Sequence, residues 1–379
     1  MKSLLLITTD RYPNGDAGAV RQGVLSKMIS ECGYKVDIVG LGDYTDDYVA
    51  ESEYVKYISL RSKVQTLIRR VKDRLAFSLK VIRLYKRANY DAVLLESVPI
   101  LLFVYFTAQK RKGAIDTLIH DSVEWYSPSE YKLGRFSLAY ILKNVLNTQI
   151  INRQFHIIAI SRYLENHFKT IANTTVRIPI VYDSTQIHNK PAVNSEKIIF
   201  QYAGLMGRKD MLKKFLLALS RHPQKERFEV RLYGFNEDYI IETNNANRQT
   251  LENLKGVVTC YGRQPRDKVL ESLLQANFSL LFRNPDERYA KAGFPTKAVE
   301  SLSHGVPLFC NISSDLGLYL RNGVNSVVVE HSEEHIFEAL STIAKMSKDE
   351  LMSLKVNAQK TAVDNFDFRI YLDNIKQII

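Results

Sequence analysis

Glu300 and Lys297 stand three residues apart, a spacing that sets a carboxylate and an ammonium group on one face of a helix. Ahead of them the chain reads Lys291-Ala292-Gly293-Phe294-Pro295-Thr296. Gly293 permits backbone geometry that a side chain would forbid. Pro295 suits the first turn of a helix, where its missing N–H costs nothing. The unpaired N–H groups of such a helix start favour an anion, typically phosphate. Donors for phosphate and a carboxylate for hydroxyl groups would therefore be served together, which suits a nucleotide-sugar. An ordinary α/β turn with a solvated Lys–Glu pair is the plainer alternative.

Other residues offer related chemistry. Gly204 and Gly207 permit a tight turn, with Arg208 and Lys209 at the head of the following helix. Cations beside backbone donors suit a diphosphate leaving group, whose charge grows as a glycosidic bond breaks. Gly262 and Arg263 follow one strand, and Arg283 and Asn284 end another. In the first half, His120, Asp121 and Glu124 lie just past a strand's carboxyl end, where α/β sheets place their sites. Gly15 and Gly18 set backbone amides at a helix start, and Arg21 follows one turn on. The GxGxxG spacing of a dinucleotide fingerprint is absent. Cys32, Cys260 and Cys310 are far apart in apolar surroundings and read as buried thiols in a reducing compartment, with no metal set or disulfide framework.

The elements that must position these residues alternate strand and helix. Leu4–Thr8, a helix built on Val24, Leu25, Met28 and Ile29, and Val36–Val39 open the chain as β-α-β, the start of a parallel sheet. Strands follow at 92–95 and 117–120, an apolar helix at 99–108, and a helix over 136–155. The run from His156 reads as strand, cap at Ser161 and helix. Ile178 to Val181 reads as a strand leading into a polar run with Pro191, as linkers do. Beyond it come strands at 197–202, 228–233, 257–261, 308–310 and 327–329, with helices at 334–346 and 348–366. Ala298, Val299 and Leu302 face that sheet, and Gly305 stops their helix. A length of 379 residues suggests two domains, 1–185 and 186–366, with a closing helix at 367–379 that returns to the first.

Charge is uneven. Residues 1–183 carry 26 Lys and Arg against 18 Asp and Glu, +8 of the total +11. The excess centres on Arg61 to Arg87, where ten cations are opposed by Asp73 alone and interleave with Leu67, Ile68, Leu75, Leu79 and Ile82. This basic amphipathic stretch suits an anionic membrane surface. The alternative is a surface helix packed on its own sheet. No nucleic-acid motif accompanies the charge. Met1 to Thr9 runs directly into a strand, as expected of an intracellular protein.

The stretch from Lys291 to Asn311 resembles the donor-binding signature of retaining glycosyltransferases of family 4, GT-B enzymes with a Glu-x7-Glu motif. Glu300 matches the second Glu, and Gly293, Phe294, Gly305 and Pro307 match the frame, while Ala292 stands where the first Glu falls. The Arg208–Lys209 turn is similar to the family's phosphate-holding turn, with Asp210 in place of its usual glycine. The resemblance implies two Rossmann-like domains facing across a cleft, an acceptor-binding N-terminal one and a donor-binding C-terminal one. It implies sugar transfer from a nucleoside-diphosphate-sugar to an acceptor hydroxyl with retention, and neither cofactor nor metal. Arg208, Lys209 and His120 are then the catalytic candidates. Gly204, Arg263, Arg283, Gly293, Phe294, Pro295, Thr296, Lys297 and Glu300 would bind the donor, while Gly18, Arg21, Asp121 and Glu124 would line the acceptor side. With the basic stretch, it suggests a lipid-linked acceptor in bacterial surface polysaccharide synthesis, at the inner face of the cell membrane. A non-catalytic partner subunit, or a GT-B epimerase or hydrolase acting on sugar nucleotides, is the competing expectation raised by Ala292.

Overall fold

The computed structural model describes the chain apart from residues 11, 13–16, 42–47, 50–52, 61–66, 194 and 205–209, and apart from the side chains of 17, 48–49 and 67–73. Gly15, Gly207, Arg208, Lys209, Arg61 and Lys63 thus lie outside the described residues, as do the side chains of Arg69, Arg70 and Lys72. The chain divides into two compact units. Unit 1 is Met1–Tyr182 with Phe368–Ile379, and unit 2 is Asp183–Asp367.

Unit 1 is built on β1 (Lys2–Thr8), β2 (Tyr34–Gly40), β3 (Tyr48–Val49), β4 (Val55–Ser59), β5 (Ala92–Glu96), β6 (Thr117–Ser122), β7 (His156–Ala159) and β8 (Thr174–Arg177). They form one sheet in the order β3-β4-β2-β1-β5-β6-β7-β8, parallel except for β3 against β4. Leu4 to Ile7 and Ala92 to Leu95 are fully buried, as continuous apolar strands covered on both faces must be. Strand order reverses between β1 and β5, the point where open α/β sheets form their crevice. Leu25, Met28 and Ile29 of the helix Ala17–Glu31 share a core with Phe368, Ile375 and Ile378 from the end of the chain.

The basic stretch continues into a single helix, Leu67–Tyr85. Phe77, Val81 and Tyr85, four residues apart, are its buried face. Leu75 and Leu79 are instead exposed, beside exposed Arg74, Lys80 and Arg83. The expected helix over 136–155 is shorter. It runs from Leu138 to Val145, closes in a wide turn at Leu146–Ile150 and stops. Asn152 bonds to the Ile150 carbonyl and accepts from the Gln154 amide, a local pattern that competes with helix. Ile178 to Val181 is also not a strand, since β8 precedes it. Ile178 and Val181 are apolar because they enter the core of unit 1.

Unit 2 contains β9 (Ile198–Ala203), β10 (Phe228–Tyr233), β11 (Val258–Cys260), β12 (Phe278–Leu281), β13 (Leu308–Cys310) and β14 (Ser326–Val328). The order is β11-β10-β9-β12-β13-β14, parallel throughout, with its reversal between β9 and β12. Phe200 centres the core, with the rings of Phe215, Phe228, Phe278 and Phe309 5.5–5.8 Å away. All three cysteines are free. Among the described residues no helix is long and apolar enough to cross a membrane.

Candidate functional site

Where β9 and β10 end, unit 2 opens a cavity of about 300 Å³ bordered by Gly204, Gly234, Arg263, Lys297 and Glu300, with Val269, Leu270 and Leu273 on its apolar side. Gly204 (φ +147°) and Gly234 (φ +109°) adopt backbone that side chains rarely allow. A Cβ on Gly234 would strike the Gly204 carbonyl, so the two loops approach this closely only with glycine at 234. The Gly204 amide donates to the Tyr233 carbonyl at 3.1 Å and the Gly234 amide to that of Gly262 at 2.8 Å. These bonds carry the sheet's order past the strand ends and fix the rim.

The helix Thr296–Ser303 supplies Lys297 and Glu300 to this rim, with Pro295 as its N-cap. Lys297 Nζ lies 4.0 Å from the centre of the Tyr202 ring and 2.5 Å from Asp210 Oδ2. Arg283 Nε donates to Asp210 Oδ1 at 2.8 Å, and the Tyr202 hydroxyl donates to Oδ2 at 2.8 Å. Asp210 is 4% exposed. Burial opposes its ionisation, but Lys297 and Arg283 outweigh it and hold the carboxyl well below its usual range. Burial lowers the Lys297 ammonium, and Asp210 opposes that shift. Glu300 pairs with Arg266 at 3.1 Å, the carboxylate half-buried and the guanidinium exposed, so that pair contributes little and leaves the carboxylate accessible.

Of the other residues singled out in the sequence, Gly293, Phe294 and Pro295 are buried. Phe294 packs against Tyr319 and Phe366 and serves the core. Gly293 has φ −84°, which any residue adopts, so its geometry does not require glycine. Thr296 is half-buried at the helix start. Arg283 reaches Asp210 and does not border the cavity. Asp210 and Tyr202 were not expected to take part. A carboxylate directly after two cations, at a position of glycine in the resembling turn, was the available signal.

Unit 1 gathers a different set at its own strand reversal. Thr8 Oγ1 of β1 donates to Glu96 Oε2 of β5 at 2.7 Å, and Ser97, at φ +49°, donates to Oε1. Burial pushes the Glu96 carboxyl up to about 8, with Asp10 adding to the shift. Glu96 too went unremarked in the sequence, although a lone charge closing an apolar strand marks it. A Cβ on Gly18 would overlap the Asp10 carboxylate, so this glycine makes room for Asp10.

Arg21 and Asp121 do not present free head groups. Arg21 Nε and Nη2 hold Asp121 at 2.8 and 2.7 Å, and Nη1 and Nη2 also donate to the Pro179 and Ile178 carbonyls. Both residues are at most 3% exposed, so the pair joins the first helix to β6 and the end of the unit. His120 is buried between Phe103 and Phe168, with Nδ1 2.9 Å from the Leu95 carbonyl. Burial pushes its pKa down to about 4, so the ring is neutral at pH 7 and Nδ1–H donates. Glu124 is half-buried and bonds to Tyr126, whose phenol is raised first by burial and then by that carboxylate.

Two α/β units, each with a sheet whose strand order reverses and the second with a cavity at its strand ends, have the architecture of the GT-B glycosyltransferase fold. Solved structures of sugar-transferring enzymes are similar over the whole chain. Sucrose-phosphate synthase from Thermosynechococcus elongatus is 14% identical, with a TM-score of 0.77 over 100% of this chain and 98% of that one. HepE of Anabaena, in complex with UDP and glucose, is 14% identical with a TM-score of 0.69 over 100% and 99%. WaaG, a glycosyltransferase involved in lipopolysaccharide biosynthesis, is 13% identical with a TM-score of 0.69 over 99% of both chains. No protein-family model matches the sequence, and neither does any curated protein.

Proposed function

We propose that this protein is a glycosyltransferase that takes a sugar from a nucleoside-diphosphate-sugar bound in unit 2 and transfers it to an acceptor hydroxyl. The observation that carries this reading is the cavity at the carboxyl ends of β9 and β10 in a GT-B fold, with two tightly approaching glycines, a lysine and a glutamate on its rim. The close backbone approach leaves room for phosphate beside the loops. Glu300 accepts hydrogen bonds from the ribose hydroxyls, and Arg263 covers the base. Arg208 and Lys209 stabilise the diphosphate as it leaves. The reaction retains configuration and requires no metal, because cationic residues neutralise the leaving group.

The acceptor is lipid-linked and the protein works at a membrane surface, as part of surface polysaccharide synthesis. Exposed Leu75 and Leu79 among Arg74, Lys80 and Arg83 support that part of the reading, since they present apolar and basic groups together away from the core.

The test is calorimetric and thermal titration with UDP, GDP and ADP sugars. Ligand at about a hundred times its dissociation constant adds roughly 2.7 kcal/mol of stability. A base-selective shift that Glu300→Ala abolishes is the expected result, and absence of any shift overturns the reading. Chelator leaves turnover unchanged. Leu75→Ser with Leu79→Ser weakens sedimentation with anionic vesicles, and unchanged sedimentation removes the membrane from the proposal.

A further inference from the structure

Asp210 lies among the cations of this site. Its carboxylate is buried, ionised and bonded to Lys297, Arg283 and Tyr202 at once. Lys297 borders the cavity, with Nζ 3.1 Å from where a Cβ of Gly204 would stand. An anion that enters and reaches this ammonium therefore meets a charge already engaged at 2.5 Å. It also comes within a few ångströms of a fixed negative charge, where like charges repel strongly in a partly dehydrated site. Among the described residues, Lys297, Arg283 and the Asp210 carboxylate they share sum to a single net positive charge.

A sugar-esterified diphosphate and a free diphosphate differ in this respect. The free terminal phosphate ionises a second time at about pH 6, so near neutrality the released nucleotide carries one more negative charge than its sugar ester. We propose that Asp210 is a fixed counter-ion that makes the site discriminate by charge, accepting the nucleotide-sugar and disfavouring the free nucleoside diphosphate. The proposal rests on the reading of the cavity as a nucleotide-sugar site. Asp210 acts through Lys297 and Arg283 and is a positioning residue that favours product release.

The experiment compares wild type with Asp210→Asn at pH 8 by calorimetry. The probes are UDP, GDP and ADP, each beside its glucose or mannose ester and its free nucleoside. Asparagine keeps one of the two acceptor oxygens and removes the charge. The variant is expected to bind the free diphosphate tighter by about tenfold or more, the sugar ester by less, and the nucleoside unchanged. An equal change for all three, or none, assigns Asp210 a merely structural role and overturns the proposal. Should the variant fail to fold by circular dichroism, the wild-type ratio decides. A sugar ester bound tighter than its free diphosphate supports the proposal, and a free diphosphate bound equally or more tightly overturns it. Wild type that binds no nucleotide overturns the nucleotide-sugar reading itself, which separates the two failures.

Discussion

Arg21 places its guanidinium entirely inside unit 1, where it meets Asp121 with two hydrogen bonds and two backbone carbonyls with the rest. Removing one partner leaves the other charge buried and unpaired, at a cost of about 3–5 kcal/mol. Asp121→Ala should therefore lower the melting temperature by roughly 10 °C, at about 2–4 °C per kcal/mol for a unit of this size. A shift of a degree or two in a melting experiment would refute the pairing. Glu96 gives a pH signature. Unfolded, it titrates at about 4.3; folded, it titrates at about 8. Between those values the folded state holds a proton that the unfolded state has released. Its contribution is therefore greatest at the acid end and declines as pH rises from 5 to 8. Glu96→Gln keeps an acceptor for Thr8 and should flatten that decline. Urea midpoints at pH 5 and 8 that change equally in both proteins would contradict it.

The loops after β9 and β10 and the helix Thr296–Ser303 decide the shape of the site. The helix and the following β13 were legible because their signals are local: a proline at the start, an apolar face at helical spacing, and Gly305 at φ +70° past the end. The cavity was not legible, because it depends on Gly204 meeting Gly234 across thirty residues of chain. Gly234→Ala should cost about 1–3 kcal/mol through backbone strain and also displace the Gly204 loop, so nucleotide-sugar affinity falls with stability. Unaltered affinity in titration would mean that the loop is not part of the site. The shortened helix after Leu138 teaches the complementary lesson. Its apolar periodicity continues, yet the bonds of Asn152 end it so that β7 can begin.

Across the whole molecule the chain finishes unit 1 only after completing unit 2, since Phe368–Ile379 belongs to the first unit. Phe368, Ile375 and Ile378 are each at most 2% exposed in its core. Burial of such side chains contributes about 1.5–3 kcal/mol apiece. A chain ending at Asp367 should lose roughly 5 kcal/mol or more from unit 1, while unit 2 keeps its stability. Calorimetry should then resolve a lowered transition beside an unchanged one, and a single unshifted transition would count against this view.

By itself the sequence determined two α/β units and most of their strands, β3, β4 and β8 excepted, because continuous apolar runs and helix caps act over a few residues. It also determined that Lys297 and Glu300 share a helix face. Only the tertiary structure decided which charges remain available, because ion pairing joins residues far apart in the chain. Arg21 found Asp121 a hundred residues away, and Arg283 and Lys297 both found Asp210. Thr8 and Glu96, on neighbouring strands 88 residues apart in sequence, share a buried hydrogen bond that only the sheet's parallel pairing could place.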